Sequence, residues 1–485
     1  MHILEIPSFF PPYGGLFCLD QAKALKALGH EVRILSNVQL GATIGLRDYV
    51  VRPYLRYEHV MDGITVCQSY QRGLPGVIRF NVNRWVNIVC SMFDDYVKKY
   101  GKPDVLHAHC AKWAGYAAMQ IAQAHGMPYV ITEHLPLMLL EAEFGPAPSK
   151  AWQIPLLKEA YRKASMVLPV SQELVDSTAC YYGHDYRWQY LSNTIDTDYF
   201  TYQPRPSREG RPFRFCCLAD NSYRKGYDVL IKAFQMLHEQ HSDAELHLAG
   251  RDTDTKAFRA QLSSGMKAHG LLDKAGVRQL LYECDALVLA SRSEVQPLVL
   301  LEAMSTGIPV IATDCIPQCL RIEGGCSIVP VDDAAALSQA MAQVMTGPEV
   351  DGEKLSEQVK ALASPQVVGM CLQTIFGKDQ DILSDIEHLE RINSKKNLSN
   401  LNMIENTKEN NNSDINMISE QINKDIYYIS KTLLKLTVKQ SKNLQEGKEY
   451  IINSLGLLFN NKNKTKDGLT IFGDVNVIKY FLFYY

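Results

Sequence analysis

Short apolar segments alternate with amphipathic stretches from the first residue onward, and this alternation restricts the fold more than any single motif. Residues 2–6 read as a strand stopped by Pro7. Residues 17–28 space Leu19, Ala22, Leu25 and Leu28 along one side of a helix, Gly29-His30 ends it, and 31–35 is the next strand. The rhythm returns with a strand at 104–107, a helix through 114–125 and a strand at 129–132. Strands that alternate with helices predict a parallel sheet covered on both faces.

The pattern lapses between residues 193 and 212. There Asn193-Thr194-Ile195-Asp196 is followed by Gln203-Pro204-Arg205-Pro206-Ser207-Arg208-Glu209-Gly210-Arg211-Pro212, which is turn and linker chemistry. It restarts with strands at 213–219, 245–249, 286–290, 309–313 and 327–331, and with helices at 227–238 and 297–305. A chain of 485 residues exceeds what one core usually holds. The reading is therefore α/β: two Rossmann-like domains, 1–193 and 213–378, joined by a linker at 194–212 and facing a cleft. Ligands of such sheets bind beyond the carboxyl ends of the strands, which makes the interdomain cleft the expected site.

Composition separates a third region. Residues 1–390 contain 6 Asn and residues 391–485 contain 16, and the later stretch has no Ala, Cys, Pro, His or Trp. Residues 379–485 therefore read as an Asn/Lys-rich appendage of unknown role, partly helical (426–436, 450–458) or disordered, with strand formers at 469–485. A formal charge of −3 argues against a nucleic-acid partner bound through bulk positive charge. The 12 cysteines run from Cys18 to Cys371 without a CxxC pair, as reduced thiols of a cytoplasmic protein do. No run of about 18 apolar residues is present to span a membrane. Residues 72–99 do interleave Arg79, Arg84, Lys98 and Lys99 with Trp85, Val89, Met92 and Phe93. Such a stretch either faces a core or rests on an anionic membrane at its inner face.

The most informative passage runs from Ser291 to Thr313. Glu294 stands in a strand-to-helix loop and Glu302 about two turns into the helix register, with Pro297 and Leu298 at the helix start. Free N–H groups at a helix N-terminus hold phosphate, and ionised carboxylates accept strong hydrogen bonds from sugar hydroxyls.

This passage resembles the family 4 glycosyltransferases, which have the two-domain GT-B fold. Their hallmark is two Glu separated by seven residues, kept here by Glu294 and Glu302, followed by Gly307-Ile308-Pro309-Val310 and Thr313. Further landmarks fall in order: Pro11-Pro12-Tyr13-Gly14-Gly15, Gly29-His30-Glu31-Val32, Asp104-Val105-Leu106-His107-Ala108-His109, Thr132-Glu133-His134, Asn193-Thr194-Ile195-Asp196 and Lys225-Gly226. The resemblance covers roughly residues 1–378 and implies retaining transfer of a sugar from a nucleotide-diphosphate sugar, without metal or other cofactor. It implies catalytic roles for His134, Glu294 and Lys225. The donor would be held by Gly14, Gly15, Lys225, Glu294, Pro297, Leu298 and Glu302, with Glu302 on the ribose and Glu294 on the sugar hydroxyls; Arg224, next to Lys225, either adds a donor-binding cation in place of the family's Arg or points to solvent. His107 and His109 share one face of a strand and are expected on the acceptor side, although the same spacing suits a metal pair. The implied acceptor is a glycan or lipid-linked molecule of surface polysaccharide or glycolipid synthesis, such as lipopolysaccharide or capsule.

Three departures stand out. Ala219-Asp220 occupies the place of a Gly-Arg, Asp314-Cys315-Ile316-Pro317 that of a Gly-Gly turn, and Gln296-Pro297 that of a Phe-Gly. They motivate two rivals: another GT-B enzyme (an epimerase or a phosphorylase), or a non-catalytic sugar-nucleotide-binding scaffold. The stretch 251–270 also looks short for a helix and a strand.

Overall fold

The computed structural model describes residues 1–12, 14–41, 49–50, 55–144, 151–205 and 210–377; the expected appendage, 379–485, lies outside them. In the first half, β1 (His2–Pro7), α1 (Leu16–Ala27), β2 (Glu31–Leu40), β3 (Arg56–Met61), β4 (Ile64–Arg72), α2 (Ile78–Tyr100), β5 (Val105–His109), α3 (Tyr116–His125), β6 (Tyr129–Glu133), α4 (Gln153–Lys163) and β7 (Met166–Pro169) follow one another. They build a seven-stranded sheet in the order β3-β4-β2-β1-β5-β6-β7. All neighbours are parallel except β3, which folds back on β4. Every residue of β5, β6 and β7 is buried, as expected for strands covered on both faces.

The amphipathic stretch 72–99 forms most of α2, and its apolar stripe faces the protein's own core. Val82, Trp85, Val86, Val89, Met92, Phe93 and Tyr96 are buried in the main cluster of the first half. Only the entrance of the helix leaves large apolar groups in solvent, at Leu74, Val77, Ile78 and Phe80.

The second half comprises β8 (Arg214–Leu218), α5 (Tyr227–His238), β9 (Glu245–Ala249), β10 (Met266–Gly270), α6 (Lys274–Glu283), β11 (Ala286–Leu289), α7 (Leu298–Ser305), β12 (Val310–Thr313), β13 (Cys326–Val329), α8 (Ala334–Thr346), α9 (Gly352–Ala363) and α10 (Pro365–Phe376). Its six strands, all parallel, take the order β10-β9-β8-β11-β12-β13. The short stretch 251–270 holds both a helix and a strand because the helix is one turn, Lys256–Arg259, capped by the Thr255 side chain.

The halves meet through specific contacts. The linker N–H of Ile195 donates to the Ala363 carbonyl at 2.9 Å, and α10 crosses back to lie on α1, where a Cβ on Gly369 would stand 3.1 Å from the Ala24 oxygen. Val368, Leu372, Ile375 and Phe376 of α10 are buried, and each such side chain contributes about 1.5–3 kcal/mol on leaving water. Beyond the carboxyl ends of β7 and β12, the Glu173 carboxylate accepts from the Gln318 N–H at 2.8 Å. The strand ends of the two sheets therefore open toward each other. Among the described residues no helix is long and apolar enough to cross a membrane.

Candidate active site

On the second half the site is assembled where β8 and β11 end. The chain leaves β8, makes one tight turn at Tyr223–Lys225 and passes through Gly226 at φ +66°. A Cβ on Gly226 would lie 1.9 Å from the Ala290 carbonyl oxygen, so only glycine lets this turn press against the end of β11. That approach brings Lys225 and Arg224 onto the loop after β11. The Lys225 Nζ donates to Glu294 Oε1 at 2.6 Å and the Arg224 Nη1 to Glu294 Oε2 at 2.9 Å. Ser291 Oγ adds a third bond at 2.7 Å, and Arg224 also donates to the Ser293 carbonyl at 2.8 Å. The Glu294 side chain is 6% exposed and that of Lys225 15%. Arg224 thus turns into the site rather than toward solvent. Two cations face one carboxylate, which leaves an excess of positive charge beside the start of α7.

Helix α7 begins at Leu298 with Pro297, in extended conformation, as its cap. Glu302, the fifth residue of the helix, therefore lies about one turn into it rather than about two. The Glu302 carboxyl is pushed up to about 7 by burial, opposed by Lys274 and reinforced by Asp20 of α1 across the interface of the halves. Asp220, in the place of the family's Arg, accepts from the Arg251 N–H at 3.0 Å and brings no positive charge.

Two residues of this loop make contacts that the sequence does not foretell. Arg292 pairs with Asp228 and Asp332, each at 2.7 Å, and donates to the Tyr223 carbonyl at 2.6 Å, which ties the Tyr223–Lys225 turn to the Glu294 loop. Gln296 reaches the other half: its amide oxygen accepts from the Asn193 N–H at 2.8 Å and its nitrogen donates to Ser192 Oγ at 2.6 Å. The Gln296 that stands in the place of a family aromatic thus fastens the loop to the end of the first half.

On the first half, Gly15 stands at φ +81°, and a Cβ there would meet the Phe9 oxygen at 2.0 Å; the space around Gly14 is open. The loop between β1 and α1 turns back on itself as a result. His134 follows β6, its ring stacked on Phe17 with centroids 3.8 Å apart. Its Nε2 is 3.3 Å from His109 Nδ1, and His109 Nε2 is 2.7 Å from Glu5 Oε2. His107 Nδ1 lies 2.9 Å from the same oxygen, and His107 Nε2 meets Thr132 Oγ1 at 2.7 Å.

His107 and His109, expected on the acceptor side, are both fully buried, and their shared strand face looks at Glu5, paired with His107 in register on β1. Burial alone would raise the Glu5 carboxyl, yet His107 and His109 hold it at about 2. Burial and His107 push His109 down to about 4, against Glu5. Burial, His109 and His107 push His134 well down. The Glu5, His107 and His109 donor atoms lie within 4.8 Å of one another. Their contacts of 2.7 and 2.9 Å are nevertheless shorter than the spacing of about 3.3 Å between ligands around a tetrahedral zinc. Within the cluster, hydrogen bonds join His109 to Glu5 and His107 to Thr132.

Two family patterns match the chain: "Glycosyltransferase Family 4" over residues 14–199 and "Glycosyl transferases group 1" over residues 212–347. The chain is similar to the putative teichuronic acid biosynthesis glycosyltransferase TuaC of Bacillus subtilis, 28% identical over 334 residues that cover 65% of this chain and 81% of that protein. Among solved structures, sucrose-phosphate synthase from Thermosynechococcus elongatus matches with a TM-score of 0.60 at 18% identity, covering 78% of this chain and 98% of the other. Alr3699/HepE of Anabaena, solved in complex with UDP and glucose, matches with a TM-score of 0.55 at 17% identity, covering 77% and 98%. At these identities the structures establish the GT-B fold.

Proposed function

Because the chain belongs to the family 4 glycosyltransferases, we propose that it moves a sugar, with retention of configuration, from a nucleotide-diphosphate sugar to a glycan or lipid-linked acceptor. The observation that carries this reading is the contact of Lys225 and Arg224 with Glu294 beside the first turn of α7. When a diphosphate enters, the two cations exchange the carboxylate for phosphate oxygens, and the helix N-terminus adds its free N–H groups. Glu294, released from both, accepts hydrogen bonds from the donor sugar, and ionised Glu302 accepts from the ribose. The positive charge that stabilises the leaving diphosphate comes from side chains, as a bound divalent ion supplies it elsewhere, so the transfer is metal-independent. Apposed strand ends exclude water once both substrates are bound, favouring transfer over hydrolysis.

Similarity to a putative teichuronic acid biosynthesis glycosyltransferase supports a role in surface polysaccharide synthesis. Exposed Leu74, Val77, Ile78 and Phe80, with Arg79 and Arg84 beside them, supply a small apolar and basic surface for peripheral contact with an anionic membrane.

Incubation with a panel of nucleotide sugars, with and without a chelator, tests the reading. The expected result is nucleotide release unchanged by chelation and a product that keeps the donor's anomeric configuration by NMR. Inversion contradicts the retaining mechanism. Tight nucleotide binding without turnover would point instead to a scaffold.

A further inference from the structure

Glu5, His109 and His134 form one hydrogen-bonded line from the core of the first sheet to the end of β6, and its chemistry has a direction. Glu5 Oε2 can only accept, so His109 carries its proton on Nε2, at 2.7 Å. A neutral His109 then offers Nδ1 as a lone pair, and the His134 Nε2 beside it at 3.3 Å must be the N–H that donates. His134, neutral as well, keeps a lone pair on Nδ1. That atom is buried and has no hydrogen-bond partner among the described residues. Phe17, stacked on the ring, blocks rotation out of this arrangement. The groups around His134 favour the neutral form: burial is the largest influence, and the imidazoles of His109 and His107 add to it.

We propose that Glu5 and His109 are positioning residues that fix His134 as a neutral imidazole with an unprotonated Nδ1, so that His134 receives a hydroxyl proton donor of the sugar substrate. In this arrangement His134 neither neutralises the diphosphate nor donates a proton to it; that charge falls to Lys225 and Arg224. The proposal rests on the glycosyltransferase reading for the identity of the hydroxyl, while the protonation pattern stands independently of it.

The test is imidazole nitrogen NMR on the full chain without substrate at neutral pH, for wild type, His109→Phe and His109→Asn. Wild-type His134 is expected to be protonated on Nε2 only. His109→Phe removes the acceptor and should populate both tautomers. His109→Asn, whose amide oxygen can stand where Nδ1 was, should restore the single tautomer. Turnover of the active sugar nucleotide should fall about tenfold in His109→Phe and recover in His109→Asn, with binding of the nucleotide alone unchanged within about twofold. A wild-type His134 protonated on Nδ1, or an unchanged tautomer in His109→Phe, overturns the proposal. If no sugar nucleotide is consumed by wild type, the transferase reading fails and the NMR arm still decides the tautomer.

Discussion

Glu302 shows how one residue's surroundings set a measurable property of the site. Burial one turn inside α7 raises its carboxyl to about 7, so it changes charge in the neutral range. Below that value the group is protonated and accepts hydrogen bonds weakly; above it, the carboxylate is a strong acceptor for the ribose hydroxyls of the proposed donor. The KM for the sugar-nucleotide donor is therefore expected to rise as pH falls through about 7. Glu302→Gln should flatten that dependence, with the KM–pH profile as the readout. A wild-type profile with no inflection near neutrality contradicts the assignment. Glu294 and Lys225, which the structure brings into contact, were both singled out in the sequence, the first by the long run from Ser291 to Thr313 and the second by Lys225-Gly226. Glu5 was not. A lone acid in Ile3-Leu4-Glu5-Ile6 reads as a strand with one polar face, and only the register that pairs it with His107 reveals a buried ion cluster. Arg292 gave no sign of its role for the same reason, since Asp332 and Asp228 lie 40 and 64 residues away in sequence; Gln296 stood out only as a departure, with its partners 103 and 104 residues away.

At the scale of elements, local chemistry decided what could be foreseen. The helix at 227–238 and the strand at 245–249 were placed to the residue, since both have clear periodicity and clean ends. The β3–β4 hairpin was missed, although Asp62-Gly63 between two alternating segments is its signature, and both residues take positive φ. The stripe on residues 72–99 was ambiguous by nature, because a face that packs on a sheet and one that packs on lipid have the same spacing; the core contacts of α2 resolve it for most of the helix. The Tyr223–Lys225 turn depends on Gly226 lying against β11. Replacing Gly226 by Ala forces a Cβ into the Ala290 carbonyl and strains a left-handed backbone, at about 1–3 kcal/mol of stability. Urea denaturation should register this loss, together with weaker donor binding as Lys225 moves away from Glu294. A variant of wild-type stability and affinity would show that the turn yields easily.

For the whole molecule, two parallel sheets with apposed strand ends follow from the alternation of strand and helix, and their existence was legible from it. The return of α10 to α1 was not, because the apolar spacing of residues 365–376 gives no hint of which half it will cover. The same holds for the end of the first half, where Gln296 binds Ser192 and Asn193 across about 100 residues of sequence. These links tie the donor loop to the first half. The central claim is that the Lys225, Arg224 and Glu294 cluster drives sugar transfer by holding the leaving diphosphate and the donor sugar. The most direct measurement is the rate of nucleotide release from the active donor for wild type, Glu294→Ala and Lys225→Ala. The account predicts a fall of at least about 100-fold in kcat/KM for each variant, with the fold intact by circular dichroism. Release at the wild-type rate from either variant would contradict it.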